Sequence, residues 1–368
     1  MRKAATAPDP APHPAAPAAR APGKGLRAFP AGFWLINGIE LVERSAYYGM
    51  LSIFTFHWVT QRGFEPSFIG LILAVLQALL YFVPLVAAAL AEKYGYRASL
   101  FAAFTAALAG YALIGSTESL RGALGPAALL PGVIALGVGA GAFKPIAAAI
   151  VAQTSSPEQR NFAFTIYYAF VNIGGFIGPL LIGLLIPEAL YGVVFFGSAI
   201  AIALNLVIVA VAYRNVAVPQ TGKSVRQALG ALAGLRKDPG YVAVLVAFAG
   251  FWFMYAQYQF FLQVYAPAYG LIPPWLNVAL LATINPATII LAGPIIGKAA
   301  ERFPSLPLVM IGSGIYILGI VLLGFVPNPL LLIAGLIVLS VGEVMAQPSF
   351  LSYTSKIAPK DKLAVYLG

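Results

Sequence analysis

Three ionisable side chains stand inside one apolar run of the chain, in the order Glu40-x-x-Glu43-Arg44-x-x-Tyr47-Tyr48-Gly49. A charge at bilayer depth costs about 2.5–3.5 kcal/mol on insertion scales, so such groups must face a protein interior or a water-filled cavity. Glu40, Glu43, Arg44, Tyr47 and Tyr48 fall three or four residues apart, a spacing that gathers them on one side of a helix. Two carboxylates sharing one guanidinium form either a structural ion pair that locks helices together or a site with a spare acid able to take up a proton. The chemistry on offer is proton movement rather than bond making.

Further polar residues recur at similar depth. Counted at about 1.5 Å per residue from the segment ends, Glu40–Arg44 lie about 12–18 Å in and Lys144 about 10 Å, while Asn172, Asn285 and Glu343 lie about 13–18 Å in. They can share one layer. Each also has a plainer reading: Lys144 can snorkel to the near surface, Glu343 can be structurally paired, and Asn172 and Asn285 can serve as interhelical hydrogen-bond glue. Enzyme chemistry finds no support. The chain has no cysteine and two histidines, His13 and His57, so thiolate metal sites, disulfides and histidine clusters are excluded, and no cofactor is expected.

These residues need membrane-spanning elements to hold them. With 60% hydrophobic and 9% charged residues, the chain reads as an all-α polytopic membrane protein. Apolar segments recur at about 32–58, 67–90, 98–116, 127–151, 163–187, 190–213, 241–267, 276–298, 306–326 and 330–354, giving about ten helices in a 6 + 4 arrangement. With the N-terminus cytoplasmic, only Arg62 and Arg121 lie on the opposite side and Arg44 and Lys144 within the membrane; every other basic residue is cytoplasmic. The net charge of +10 is therefore a topology signal, and nucleic acid is not an expected partner. Residues 1–30 read as a disordered basic Pro/Ala-rich cytoplasmic tail, 31–213 as a six-helix bundle, 214–240 as a cytoplasmic linker and 241–368 as an incomplete four-helix bundle.

Two corresponding loops echo each other: Ala88-x-x-x-Glu92-Lys93-x-Gly95-x-Arg97 and Gly297-x-x-x-Glu301-Arg302. Both resemble the loop motif of the major facilitator superfamily, in which a small residue permits close helix approach and an acid-base pair clamps helix ends. The charged run of the first helix resembles the signature of one branch, the proton-dependent oligopeptide transporter family. Gly141-Ala-Phe-Lys144-Pro145 and Tyr167-Tyr168-Ala-Phe-Val-Asn172-Ile-Gly174-Gly175 resemble its fourth and fifth helices. Phe251-Trp252-Phe-Met-Tyr255-Ala-Gln257, Ile284-Asn285-Pro286 and Gly342-Glu343 resemble helices seven, eight and ten.

The resemblance implies a proton-coupled importer of di- and tripeptides in the inner membrane, monomeric, with short peptides, protons and the lipid bilayer as partners. Glu40, Glu43 and Arg44 would form the proton-coupling cluster. Lys144 would attract the peptide carboxylate and pair with Glu343 in part of the cycle; Glu343, Asn172 and Asn285 would bind the amine. Tyr47, Tyr48, Tyr81 and Trp252 would line the side-chain pocket. Two departures stand out. The family usually has an arginine where this chain has Leu51 and an acid where it has Ala256, a pair that joins the two halves on the extracellular side. Their joint loss avoids an unpaired charge and leaves open a symporter for another anionic or zwitterionic solute, or a non-transporting nutrient sensor. The family has twelve helices and the sequence stops at Gly368, so a fragment is expected in preference to a natural ten-helix protein.

Overall fold

In a computed structural model, the structure describes residues 25–156, 159–213, 230, 234, 237–300, 302–325 and 328–357. Most of the tail, most of the linker and Glu301 of the second loop echo lie outside them. Ten long helices follow in order among the described residues: α1 Ala31–Thr55, α2 Pro66–Tyr94, α3 Tyr96–Gly115, α4 Leu129–Gln153, α5 Arg160–Leu185, α6 Val193–Val211, α7 Pro239–Phe260, α8 Ile284–Ala300, α9 Ser305–Phe325 and α10 Pro329–Ile357. The described residues hold no strand. Nine helical stretches among them are long and apolar enough to cross a membrane, and α1, of 25 residues, matches them in length but carries the three charges. The chain is an integral membrane protein.

Local sequence accounts for where the helices start and bend. Proline opens α2, α7 and α10, where its missing N–H would have no intrahelical partner. Pro84, Pro145, Pro179, Pro294 and Pro348 lie inside helices, where neighbouring helices can shelter the freed carbonyls. The spans read from sequence differ from the structure in three places. α1 does not run straight through to 58; it passes into a π turn at Phe56–Gln61. α7 likewise passes into a π turn at Phe261–Tyr265. The expected 276–298 helix is split into Val278–Ala282 and α8. Hydrophobicity reports that a segment is in the membrane and is blind to a one-residue change of winding.

α1 packs against α5 and α6, α4 against α2 and α3, and α9 and α8 against α10. Buried apolar side chains form two clusters, one drawn from α1–α6 with Val278 and Ala279, the other from α7–α10 and the segments beside them. The outer surface is apolar, with Val211 83%, Leu291 73% and Ile200 71% exposed, as lipid-facing positions require. Between helices, side-chain amides and hydroxyls satisfy backbone carbonyls: Asn205 of α6 donates to Ile39 O at 3.0 Å, and Ser198 to Ala46 O at 3.1 Å. Arg97 donates to Ala210 O at 2.7 Å, so the basic end of the first loop motif holds the carboxyl end of α6.

The α1–α5 crossing places the charged face. A Cβ at Gly178 would sit 2.1 Å from Ser45 O, and one at Gly174 would sit 2.7 Å from Arg44 Cβ and 2.8 Å from Leu41 O. Only glycine lets the helices approach so closely. Gly178→Ala is expected to destabilise the detergent-solubilised protein by about 1–3 kcal/mol, the usual penalty for overpacking. Gly175→Ala, where the nearest atom is a Tyr48 ring carbon at 3.3 Å, is the milder control. Equal melting temperatures for the two variants would refute this packing argument.

Candidate functional site

α1 brings its charges together on the buried side. Glu40, Glu43 and Arg44 are each 1–2% exposed. Arg44 Nε bonds Glu43 Oε2 and stands 3.5 Å from Glu40 Oε1. One guanidinium thus serves two carboxylates, as the spacing predicts. Its Cζ lies 5.0 Å from the Tyr47 ring centre and 5.7 Å from that of Tyr48, a cation–π arrangement with both rings. Tyr47 and Tyr48 pack edge to face at 5.3 Å. The Tyr167 side chain of α5 interacts with Glu40, and Lys144 of α4 lies within electrostatic reach of Arg44, Glu43 and Glu40. Glu40 Oε2 and Arg44 Nη2 are buried atoms with no hydrogen-bond partner among the described residues.

A second polar group sits on the other half. Asn285 Nδ2 of α8 donates to Glu343 Oε2 of α10 at 2.8 Å and to Ser340 Oγ at 3.0 Å, and Ser340 donates to Leu336 O at 2.6 Å. Glu343 is 5% exposed and Asn285 6%. Glu343 lies within electrostatic reach of Tyr48 and Tyr168 of the first half and of Tyr255, Tyr258 and Tyr316 of its own.

The structure unites some expected residues and not others. Glu40, Glu43, Arg44, Tyr47, Tyr48 and Lys144 form one neighbourhood, and Asn285 with Glu343 another. Among the described residues no ion pair joins Lys144 to Glu343; in this conformation the carboxylate is held by the Asn285 amide instead. Asn172 turns back on its own helix, donating to Tyr168 O at 2.9 Å. Tyr81 of α2 and Trp252 of α7 both line a cavity of about 420 Å³ between the halves, together with Phe248, Ala249, Gln347, Phe350 and Leu351. Trp252 is fixed edge to face by Tyr255 at 5.2 Å, and Phe248 stacks on Phe350 at 3.6 Å. Sequence reasoning placed Tyr167 in a motif without giving it a role, and it missed Ser340. A tyrosine or serine in an apolar helix is too common to stand out, and each gains meaning only from the acid it meets.

The wall of this cavity is apolar and aromatic, with Gln347 as its polar amide, and the α1 charges, Lys144 and Glu343 are not part of that wall. The sequence profile of the Major Facilitator Superfamily matches residues 34–368. The chain belongs to the Major Facilitator Superfamily, and the proteins it resembles are transporters rather than enzymes. Dipeptide and tripeptide permease A of Escherichia coli (strain K12) is 29% identical over 188 residues, covering 50% of this chain and 36% of that protein. The matched stretch spans between 31% and 58% of the length of these curated relatives. The crystal structure of a peptide transporter POT in complex with sulfate superposes with a TM-score of 0.70 at 19% identity, covering 94% of this chain and 87% of that one. A nucleoside transporter, NupG, superposes with a TM-score of 0.75 at 14% identity, covering 91% of this chain and 86% of that one. The fold is therefore common to carriers of different solutes, and substrate must be argued from side chains.

Proposed function

We propose that the protein is a secondary transporter of the oligopeptide branch, importing di- and tripeptides or peptide-like solutes with protons by alternating access. The observation that carries this reading is the division of buried charge between halves: Glu40, Glu43, Arg44 and Lys144 on one, Glu343 with Asn285 on the other, and the aromatic cavity between the halves. A peptide is a zwitterion whose ends are separated by one or two residues. Lys144 offers its carboxylate a cation and Glu343 offers its amine an anion, while Tyr48, Tyr81 and Trp252 present surfaces that tolerate varied side chains. The motif resemblance and the permease similarity support the same reading. The excess of basic residues at the end bearing the N-terminus supports its placement in the cytoplasm, and the inner membrane as the location.

Proton coupling follows from the α1 trio. Two acids share Arg44, so a proton can neutralise one without leaving the guanidinium unpaired. Uptake of labelled dialanine into proteoliposomes, competed by unlabelled tripeptide and stimulated by an inward proton gradient, is the expected result. Absence of dialanine uptake by folded, inserted protein would sink the peptide reading. Uptake of a different zwitterion or anion would then favour the second reading, which Leu51 and Ala256 keep in view.

Lys144 gives a sharper prediction about recognition. A hydrogen bond to a charged group contributes about 1.5–3 kcal/mol, equivalent to about 10–100-fold in affinity. The native protein should bind a free-carboxyl dipeptide that much more tightly than its C-terminally amidated form, and Lys144→Ala should remove the difference. Equal affinity of native protein for both peptides would rule Lys144 out as the carboxylate partner.

A further inference from the structure

The two π turns meet. Gln263, in the turn that continues α7, is 2% exposed, and its side-chain amide grips the end of α1 with both of its ends. Oε1 accepts from Thr55 N at 2.8 Å and Phe56 N at 3.2 Å, while Nε2 donates to Leu51 O at 3.0 Å. Leu51 and Thr55 are four residues apart, the pair whose carbonyl and amide an α-helix joins to each other. Gln263 therefore inserts its amide into the ladder of α1 at the point where the winding changes to π. A second amide crosses between the halves at the same end of the bundle: Asn277 donates to Gly183 O of α5 at 2.8 Å, while its own Oδ1 caps the following turn by accepting from Leu280 N at 2.9 Å.

We propose that Gln263, seconded by Asn277, is an uncharged latch that holds the two halves closed at the extracellular end, and that this latch must break for the cavity to open outward. The inference rests on the transport reading and its orientation given above. The geometry fits a latch better than simple packing. A glutamine that only filled space would not need to replace backbone partners on the opposing half. Here opening strips Leu51 O, Thr55 N and Phe56 N of the amide, yet α1 can join Leu51 O to Thr55 N, and Phe56 N keeps its bond to Ile53 O, so these backbone groups are not orphaned. Both states are hydrogen-bonded, and neither requires a change of charge. The latch contains no titratable group, so breaking it moves no charge by itself, and any ligand that binds the open and closed states unequally biases it.

The 368-residue sequence has no cysteine, so spin labels can be placed at chosen positions along it. One pair, Leu190→Cys with Trp275→Cys, reports the latch end; another, Tyr94→Cys with Phe303→Cys, reports the opposite end, and all four positions are exposed. Distances are measured by pulsed electron resonance in lipid nanodiscs without solute. The unlatched protein is Gln263→Met, which keeps the length and volume but loses the three bonds. Its expected result is a longer-distance population at the latch end, absent from the parent, together with a shorter one at the opposite end. Gln263→Asn, which keeps the amide but shortens its reach by one methylene, is expected to shift both pairs in the same directions and carries the test should the Met variant fail to insert. A merely structural role would broaden both distributions without the opposed shift. Distributions that superimpose on the parent in the folded variants, or broadening alone, would overturn the latch. The readout needs no substrate, so a failure to move peptide counts against the transport reading and leaves this result to be judged separately.

Discussion

Replacement of Glu43 by Gln is expected to abolish proton-driven accumulation of peptide while leaving exchange of peptide across the membrane in place. Glu43 is bonded to Arg44 Nε and Glu40 stands farther from the same atom, at 3.5 Å, so the two acids compete for one cation. A proton arriving on either changes which acid the guanidinium holds. The introduced amide would mimic the protonated state permanently. It keeps an oxygen for Arg44 but can neither release nor accept a proton. Each coupled proton supports about a tenfold solute gradient per pH unit, so the loss should be about tenfold for each unit of imposed gradient. Counterflow of labelled against unlabelled peptide needs no net proton transfer and should survive. The check is a paired assay on the same vesicles, and undiminished accumulation in the variant would remove Glu43 from the coupling role.

The second large effect concerns stability. Arg44→Met is expected to destabilise the protein by about 3–5 kcal/mol at neutral pH, because removing one partner of a buried ion cluster strands the other charges. Glu40 and Glu43, both buried and beside each other, would have no cation bonded to them. Adding Glu40→Gln and Glu43→Gln to Arg44→Met should recover much of the loss, since an uncharged set no longer strands a carboxylate. It should not recover coupling. A thermal-unfolding series on the single and triple variants decides between ionic and purely steric accounts of this contact. If the triple variant melts no higher than Arg44→Met, the penalty comes from lost Tyr47 and Tyr48 packing rather than from stranded charge.

How much of this was legible in the sequence depends on the kind of residue. The helices and the α1 trio were legible because hydrophobic runs of spanning length and charges within them are both rare patterns with few physical explanations. The contact of Asn285 with Glu343 was legible as a shared depth but not as a bond. Depth fixes height along the membrane normal and leaves the rotation of each helix free, which is why Asn172, at the same height, turns to Tyr168 instead. The expected meeting of Lys144 with Glu343 does not occur in this conformation, because a single sequence encodes every state of the cycle and a structure holds one. Gln263 was invisible for a different reason. Its partners are backbone groups of Leu51, Thr55 and Phe56, more than two hundred residues away in sequence, and backbone partners leave no mark in side-chain patterns. The absence of an ionic pair at Leu51 and Ala256 was readable; what stands at that end instead was not.

The most direct test of coupled transport is to let peptide drive the proton. Proteoliposomes are loaded with a pH-sensitive dye at equal internal and external pH, the membrane potential is clamped to zero, and dialanine is added outside. Acidification of the interior that follows peptide entry, saturates with peptide concentration and vanishes in Glu43→Gln is the expected result. Peptide entry with no change of internal pH would contradict proton-coupled symport and leave a facilitated carrier in its place.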